Sequence, residues 1–273
     1  MNYPRVNWST LKAMSVSPKH YLHGLVNPRA DTPALQLGRA LHCLVYEPGE
    51  FAVRYAAAPN FNRACNDDTA RAKGYDGGKQ AALAWEASNQ EREIIEADIY
   101  QRACGMRDAL LADPVAGPLM RGGRVEHRIE WTDSLTGIEC KGRVDHVNGC
   151  LSDLKSTRSL QWCERDAARL QYHAQLAWYS DGLEAAGLRT EESPRLVFVE
   201  SEPPYDVLVL LFTEEDLAAG RRVYRACLDM LAECRKTGLY PGVSRGVARR
   251  IQLPEWALAE DDVELTLDGE VLL

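Results

Sequence analysis

The 273-residue chain is 45% apolar and 26% charged, the balance of a folded domain and not of a disordered, collagen-like or low-complexity one. Its formal charge of −8 argues at first against a polyanionic partner such as nucleic acid. Seven acids with no Lys or Arg give Pro254 to Leu273 a charge of −7 and leave −1 for the preceding residues, so the acidity is a tail property and excludes nothing.

The elements follow in chain order. Leu37, Leu41, Leu44 and Val45 recur at helical spacing and predict a helix over 34–46, closed by Pro48. A short strand is expected over 51–57, then a Gly-, Asn- and Asp-rich loop or lid over 60–78. Residues 79–113 have helical periodicity for one long helix or two short ones, stopped by Pro114. From Val125 the period becomes two. Val125, His127, Ile129 and Trp131 alternate with polar residues, Asp133 to Gly137 turns, and Ile138, Cys140, Gly142 and Val144 alternate again, a β-hairpin. A turn at Asn148-Gly149 leads to a third strand over 150–156. A helix is expected over 162–186, strands over 195–200 and 206–212, and a helix over 214–236. The order predicts an α/β fold, one domain over 1–273 with a central mixed sheet flanked by helices and an acidic tail from about 254.

The eight cysteines contain no C-x-x-C pair, and the start Met-Asn-Tyr-Pro-Arg has no cationic, apolar signal character. Reduced thiols in a cytoplasmic protein are the expectation. No apolar run reaches the ~18 to 20 residues of a bilayer span.

Chemistry concentrates in Gly142-Arg-Val-Asp145 and Asp153-Leu-Lys155. Asp153 and Lys155 are two apart on a strand, so their side chains leave one face about 7 Å apart. Asp145, at the end of the neighbouring strand, can reach the same metal ion. Two carboxylates that leave coordination positions for water and phosphate suit Mg²⁺, with an amine to orient the attacking water or steady developing charge. If the hairpin turn is Ser134 to Gly137, paired positions sum to 271: Glu130 opposes Lys141 and Glu126 opposes Asp145, a third acid at the site. A one-residue slip would move Glu126 to the other face.

These segments, with Gln175-Leu-Ala-Trp-Tyr179 and the upstream Gly38-Arg-Ala-Leu-His42, resemble the PD-(D/E)XK nuclease core of RecB-like nucleases. The N-terminal run with Ser17-Pro18, Tyr21 and Glu47-Pro48, and Tyr172-His-Ala-Gln175, are similar to RecE-type and λ-type phage exonucleases. The resemblance runs from about residue 8 to 180. It implies metal ligation by His42, Asp145, Asp153 and the Leu154 carbonyl, a catalytic Lys155, and Gln175, Tyr179 and Glu126 as further catalytic residues. It also implies Mg²⁺, with Mn²⁺ able to substitute, and one or two ions per site. The implied activity is 5′→3′ digestion of linear double-stranded DNA to 3′ overhangs by a ring, a trimer favoured, working with a single-strand annealing protein of the RecT or Bet kind in a bacterial or phage setting. Such enzymes need cations for a 5′ phosphate. Arg39 is the first candidate, and Arg245, Arg249 and Arg250 are a second candidate DNA track. A repair endonuclease, or a silent DNA-binding module on the same scaffold, are the alternatives.

Overall fold

The computed structural model describes residues 3–27, 30–248, 250–254, 266–267 and 270–271. Helices α1 Trp8–Leu11, α2 Pro18–Val26, α3 Pro33–Tyr46 and α4 Pro48–Arg54 precede strand β1 Tyr55–Ala58. Then come α5 Asp67–Ala72, α6 Lys79–Ala87, β2 Glu93–Glu96, α7 Ala97–Ala112 and α8 Ala116–Leu119. Strands β3 Arg124–Thr132, β4 Glu139–Asn148 and β5 Cys150–Thr157 lead to α9 Cys163–Arg169 and α10 Tyr172–Ala185. Strands β6 Arg195–Glu200 and β7 Val207–Leu211 precede α11 Glu214–Thr237, with a small pair β8 Thr266–Leu267 and β9 Glu270–Val271 near the end.

The main sheet has the order β3-β4-β5-β6-β7, with β5 and β6 parallel and the other pairs antiparallel. Both faces are covered, as a parallel pair requires. Leu151, Leu196 and Phe198 pack with Leu176, Trp178 and Leu183 of α10 and Leu228 and Leu231 of α11. Leu154, Val197 and Val199 face the other way, onto Leu41 and Leu44 of α3 and Ala103, Met106 and Leu110 of α7. Local chemistry sets the helix ends. Thr32 caps α3 ahead of Pro33, and Thr213 with Asp216 forms a capping box on α11, which Gly238 ends at φ 74°.

The hairpin has the expected register. Gly137 turns at φ 69°, and Glu130 pairs with Lys141 and Trp131 with Cys140. Four other expectations fail in whole or in part. The strand over 51–57 is instead α4 followed by β1. Pro48 starts the helix, and Phe51 and Tyr55, one turn apart, stack with centroids at 5.0 Å. The loop over 60–78 contains α5, and its polar residues hold it together. Asn66 caps the helix, while the Asp67 carboxylate accepts from the Gly78 and Ala81 amides. The helical region 79–113 is two helices, α6 and α7, as one of the two readings had it, but with the unexpected strand β2 between them, which pairs in parallel with β1. The helix over 162–186 is a short 3₁₀ turn, α9 and α10, broken at Gln171, whose φ is 60°.

Candidate active site

The site lies in a fork. Strands β4 and β5 pair only at His146–Ser152, Val147–Leu151 and Asn148–Cys150, and then separate. Asp145 and Asp153 are the first residues beyond the last pair, one on each arm. The Leu154 amide, free of the β4–β5 ladder, donates to Asp145 Oδ2 at 2.9 Å. Farther along, the open edge of β4 is closed by Val6, which exchanges hydrogen bonds with Glu139 and Lys141 of 2.9 and 2.8 Å. Ladder partners flank Glu126 on both sides, Val125 with His146 and His127 with Val144, so Glu126 lies opposite Asp145 as the register requires. Its own φ of 47° takes it out of the ladder, a backbone conformation that costs a non-glycine residue about 1 kcal/mol or more.

Helix α3 brings His42 to the same place. His42 Nε2 lies 3.0 Å from the Leu154 carbonyl, which accepts the Nε2 proton and leaves Nδ1 facing Glu126 Oε1 and Asp145 Oδ2, each at 3.7 Å. Burial disfavours the imidazolium, but the Asp145 and Glu126 carboxylates outweigh it and raise the His42 pKa. One donor atom each from His42, Glu126 and Asp145 lies within 4.8 Å of the others. Two carboxylates and a tautomer-fixed imidazole, each half-buried, suit a divalent cation, and the Leu154 carbonyl acts as the outer partner that aims the ring.

Asp153 stands apart from that trio. Its carboxylate is 1% exposed, with Oδ1 accepting from Gln175 Nε2 at 3.0 Å and Oδ2 against the Lys155 ammonium. Burial pushes the Asp153 carboxyl up to about 6 against the pull of Lys155. Burial also works against the Lys155 charge, but Asp153 and Asp145 prevail and hold its pKa above the ordinary lysine range. Gln175 also donates to Tyr179 Oη at 3.3 Å. The break at Gln171 starts α10 at Tyr172, and this start aims Gln175 and Tyr179 into the fork. Gly142 makes room for Tyr179, since a Cβ there would lie 3.1 Å from its ring.

Comparison with known proteins fits this arrangement. The sequence matches the PDDEXK-like domain of unknown function (DUF3799) over residues 7–249. The chain belongs to the DUF3799 family of PDDEXK-like domains. The crystal structure of a candidate exonuclease from Eubacterium rectale is similar in fold, with TM-score 0.59 and 12% identity, covering 94% of this chain and 93% of that one. No curated protein matches the sequence.

In this DUF3799 chain the fold brings together His42, Glu126, Asp145, Asp153, Leu154, Lys155, Gln175 and Tyr179. Arg39 lines the same cavity of about 490 Å³, but Asp31 and Glu93 close on its guanidinium, with hydrogen bonds of 2.9 Å to Asp31 Oδ1 and 2.6 Å to Glu93. Holding a phosphate would require those pairs to open. Arg245 and Arg250 are exposed in the segment after α11 and do not line the site cavity, and Arg249 lies outside the described residues, as does most of the acidic tail. Three neighbours were given no role in the site from sequence. Tyr172 places its ring centroid 5.2 Å from Lys155 Nζ, Tyr46 packs edge-on against His42 with centroids at 5.8 Å, and Arg143 pairs with Glu126. Helical spacing from His42 and Gln175 could have pointed to the two tyrosines. No helix among the described residues is long and apolar enough to cross a membrane.

Proposed function

We propose that this chain is a Mg²⁺-dependent exonuclease that degrades linear double-stranded DNA 5′→3′ and leaves 3′ single-stranded overhangs for strand annealing. The observation that carries the reading is the fork, where His42, Glu126 and Asp145 converge beside an Asp153–Lys155 pair in a PDDEXK-like domain. His42, Glu126 and Asp145 would hold the divalent cation, which supplies a Lewis acid and a bound water of lowered pKa. Lys155 is charged at neutral pH and therefore steadies the negative charge that develops on the phosphate, instead of accepting a proton from water. Asp153 fixes that ammonium, and Gln175 fixes Asp153. The polarity, the duplex preference, a ring of subunits with a trimer favoured, a RecT- or Bet-like annealing partner, a cytoplasmic setting and Mn²⁺ as a substitute all rest on the resemblance of the sequence motifs.

The test is release of nucleotides from a 5′-phosphorylated linear duplex with Mg²⁺, beside a 5′-hydroxyl duplex and a closed circle. The wild type is expected to degrade the first fastest and spare the circle, and Lys155→Ala to lower kcat by roughly 10²- to 10³-fold. Cutting of the circle would replace the exonuclease by an endonuclease. No release from any substrate, or full activity of Lys155→Ala, would overturn the mechanism.

A further inference from the structure

The hairpin carries a second charge pattern, immediately beside the acids. One step along the ladder from Glu126 and Asp145, Arg128 and Arg143 are direct partners. Like charges opposite each other on adjacent strands destabilise a sheet, so the pair has a cost that packing does not explain. Arg128 is exposed and has no acidic partner among the described residues. Arg143, 54% exposed, forms an ion pair with Glu126, one of the three candidate ligands. The next rung is Glu130 with Lys141, and Glu130 is shared with Arg5 at 3.1 Å.

This ladder lines two neighbouring cavities. A cavity of about 260 Å³ is bounded by Asn7, Arg128, Glu130, Lys141 and Arg143. The site cavity contains Glu126, Asp145, Lys155 and the same Arg143, so the two adjoin at that side chain. Successive rungs on one face are about 7 Å apart, a stride comparable with one nucleotide of an extended strand.

We propose that Arg128 and Arg143 together grip a backbone phosphate of the bound strand, next to the one cleaved in the fork, and that the strand continues over the hairpin towards Lys141. An anion between the two guanidiniums removes the repulsion that the free hairpin bears, and arginine forks match phosphate geometry. The proposal rests on the reading of the fork as a nuclease site.

The test uses the full chain with Arg128→Gln, and with Arg71→Gln on α5 as a control for an exposed arginine elsewhere. Binding of a fluorescein-labelled linear duplex in EDTA is followed against salt, cleavage with Mg²⁺ by kcat and KM, and folding by Tm. Arg128→Gln is expected to flatten the slope of log K against log salt by about 0.9, the loss of one phosphate contact. It should raise KM about threefold to tenfold with kcat nearly unchanged, and leave Tm equal to or above the wild-type value. Arg71→Gln should match the wild type. A wild-type slope and KM in Arg128→Gln, with cleavage intact, overturns the phosphate grip and leaves the nuclease reading standing. A fall in Tm with an unchanged slope makes Arg128 structural and also overturns it. A wild type that cleaves no nucleic acid fails the underlying reading instead.

Discussion

Asp153 works at neutral pH only as a carboxylate, because Lys155 is held by its charge. Burial has already moved its pKa to about 6, within reach of an activity profile. The Gln175 amide donates to this carboxylate and favours the ionised form. Replacing Gln175 by Ala removes the donor, so the Asp153 pKa rises further. The acidic limb of kcat, expected near pH 6 in the wild type, should move to higher pH in Gln175→Ala, while activity at high pH is reduced far less. A pH profile of kcat checks this, and an acidic limb that does not move would disconnect Gln175 from Asp153. His42 gives a second expectation. An imidazole nitrogen favours Mn²⁺ over Mg²⁺ more than oxygen ligands do. His42→Asn should therefore raise the Mn²⁺ concentration for half-maximal activity more than the Mg²⁺ concentration, as metal titrations of the two would measure.

At the scale of elements, the hairpin is tied to α11 by Arg225, which pairs with the 7%-exposed Asp133 at the turn. Burial pushes the Asp133 carboxyl up, but Arg225 and the Thr136 hydroxyl and amide outweigh it and hold the pKa at about 2. A depressed carboxylate contributes stability that is complete above its unfolded pKa of about 4 and is lost as pH falls towards 2. Asp133→Asn should cost about 3 kcal/mol at pH 7, since it leaves Arg225 without its buried partner. It should also flatten the wild-type decline in stability between about pH 4 and pH 2, read from urea melts across that window. The hairpin was also the most legible part of the sequence. Period-two alternation and a turn of fixed length determine register, and register alone placed Glu126 opposite Asp145. The β1–β2 pair was not legible, because Tyr55 and Glu93 meet only through tertiary structure and the intervening residues have helical patterning. The break at Gln171 has no Gly or Pro to announce it. Only the packed helix shows that Gln175 reaches Asp153, so the motif was readable where its connection to the site was not.

For the molecule as a whole, the net charge misdescribes the surface that would meet DNA. Without the tail the chain carries −1, and with Glu126, Asp145 and Asp153 set aside residues 1–253 carry +2, so cations and acids nearly balance and the placement of the cations matters more than their number. The fork draws its candidate ligands from α3, β3 and β4, and α3 and the sheet share one apolar layer. A cation held there therefore ties together elements that separate on unfolding, and its binding adds to global stability by mass action. At a concentration 100 times its dissociation constant the gain is about 2.7 kcal/mol. For a chain of this size that is a rise in Tm of roughly 5 to 10 °C. Mg²⁺ should therefore raise Tm over EDTA in a concentration-dependent way, and Glu126→Gln should remove most of the rise. The same variant relieves repulsion with Asp145 but takes the partner from Arg143, so the Tm of each protein in EDTA is the baseline from which its own rise is read. Calorimetry of both proteins in EDTA and in Mg²⁺ decides the matter. An equal metal-dependent rise in both would place the ion elsewhere than the trio of His42, Glu126 and Asp145.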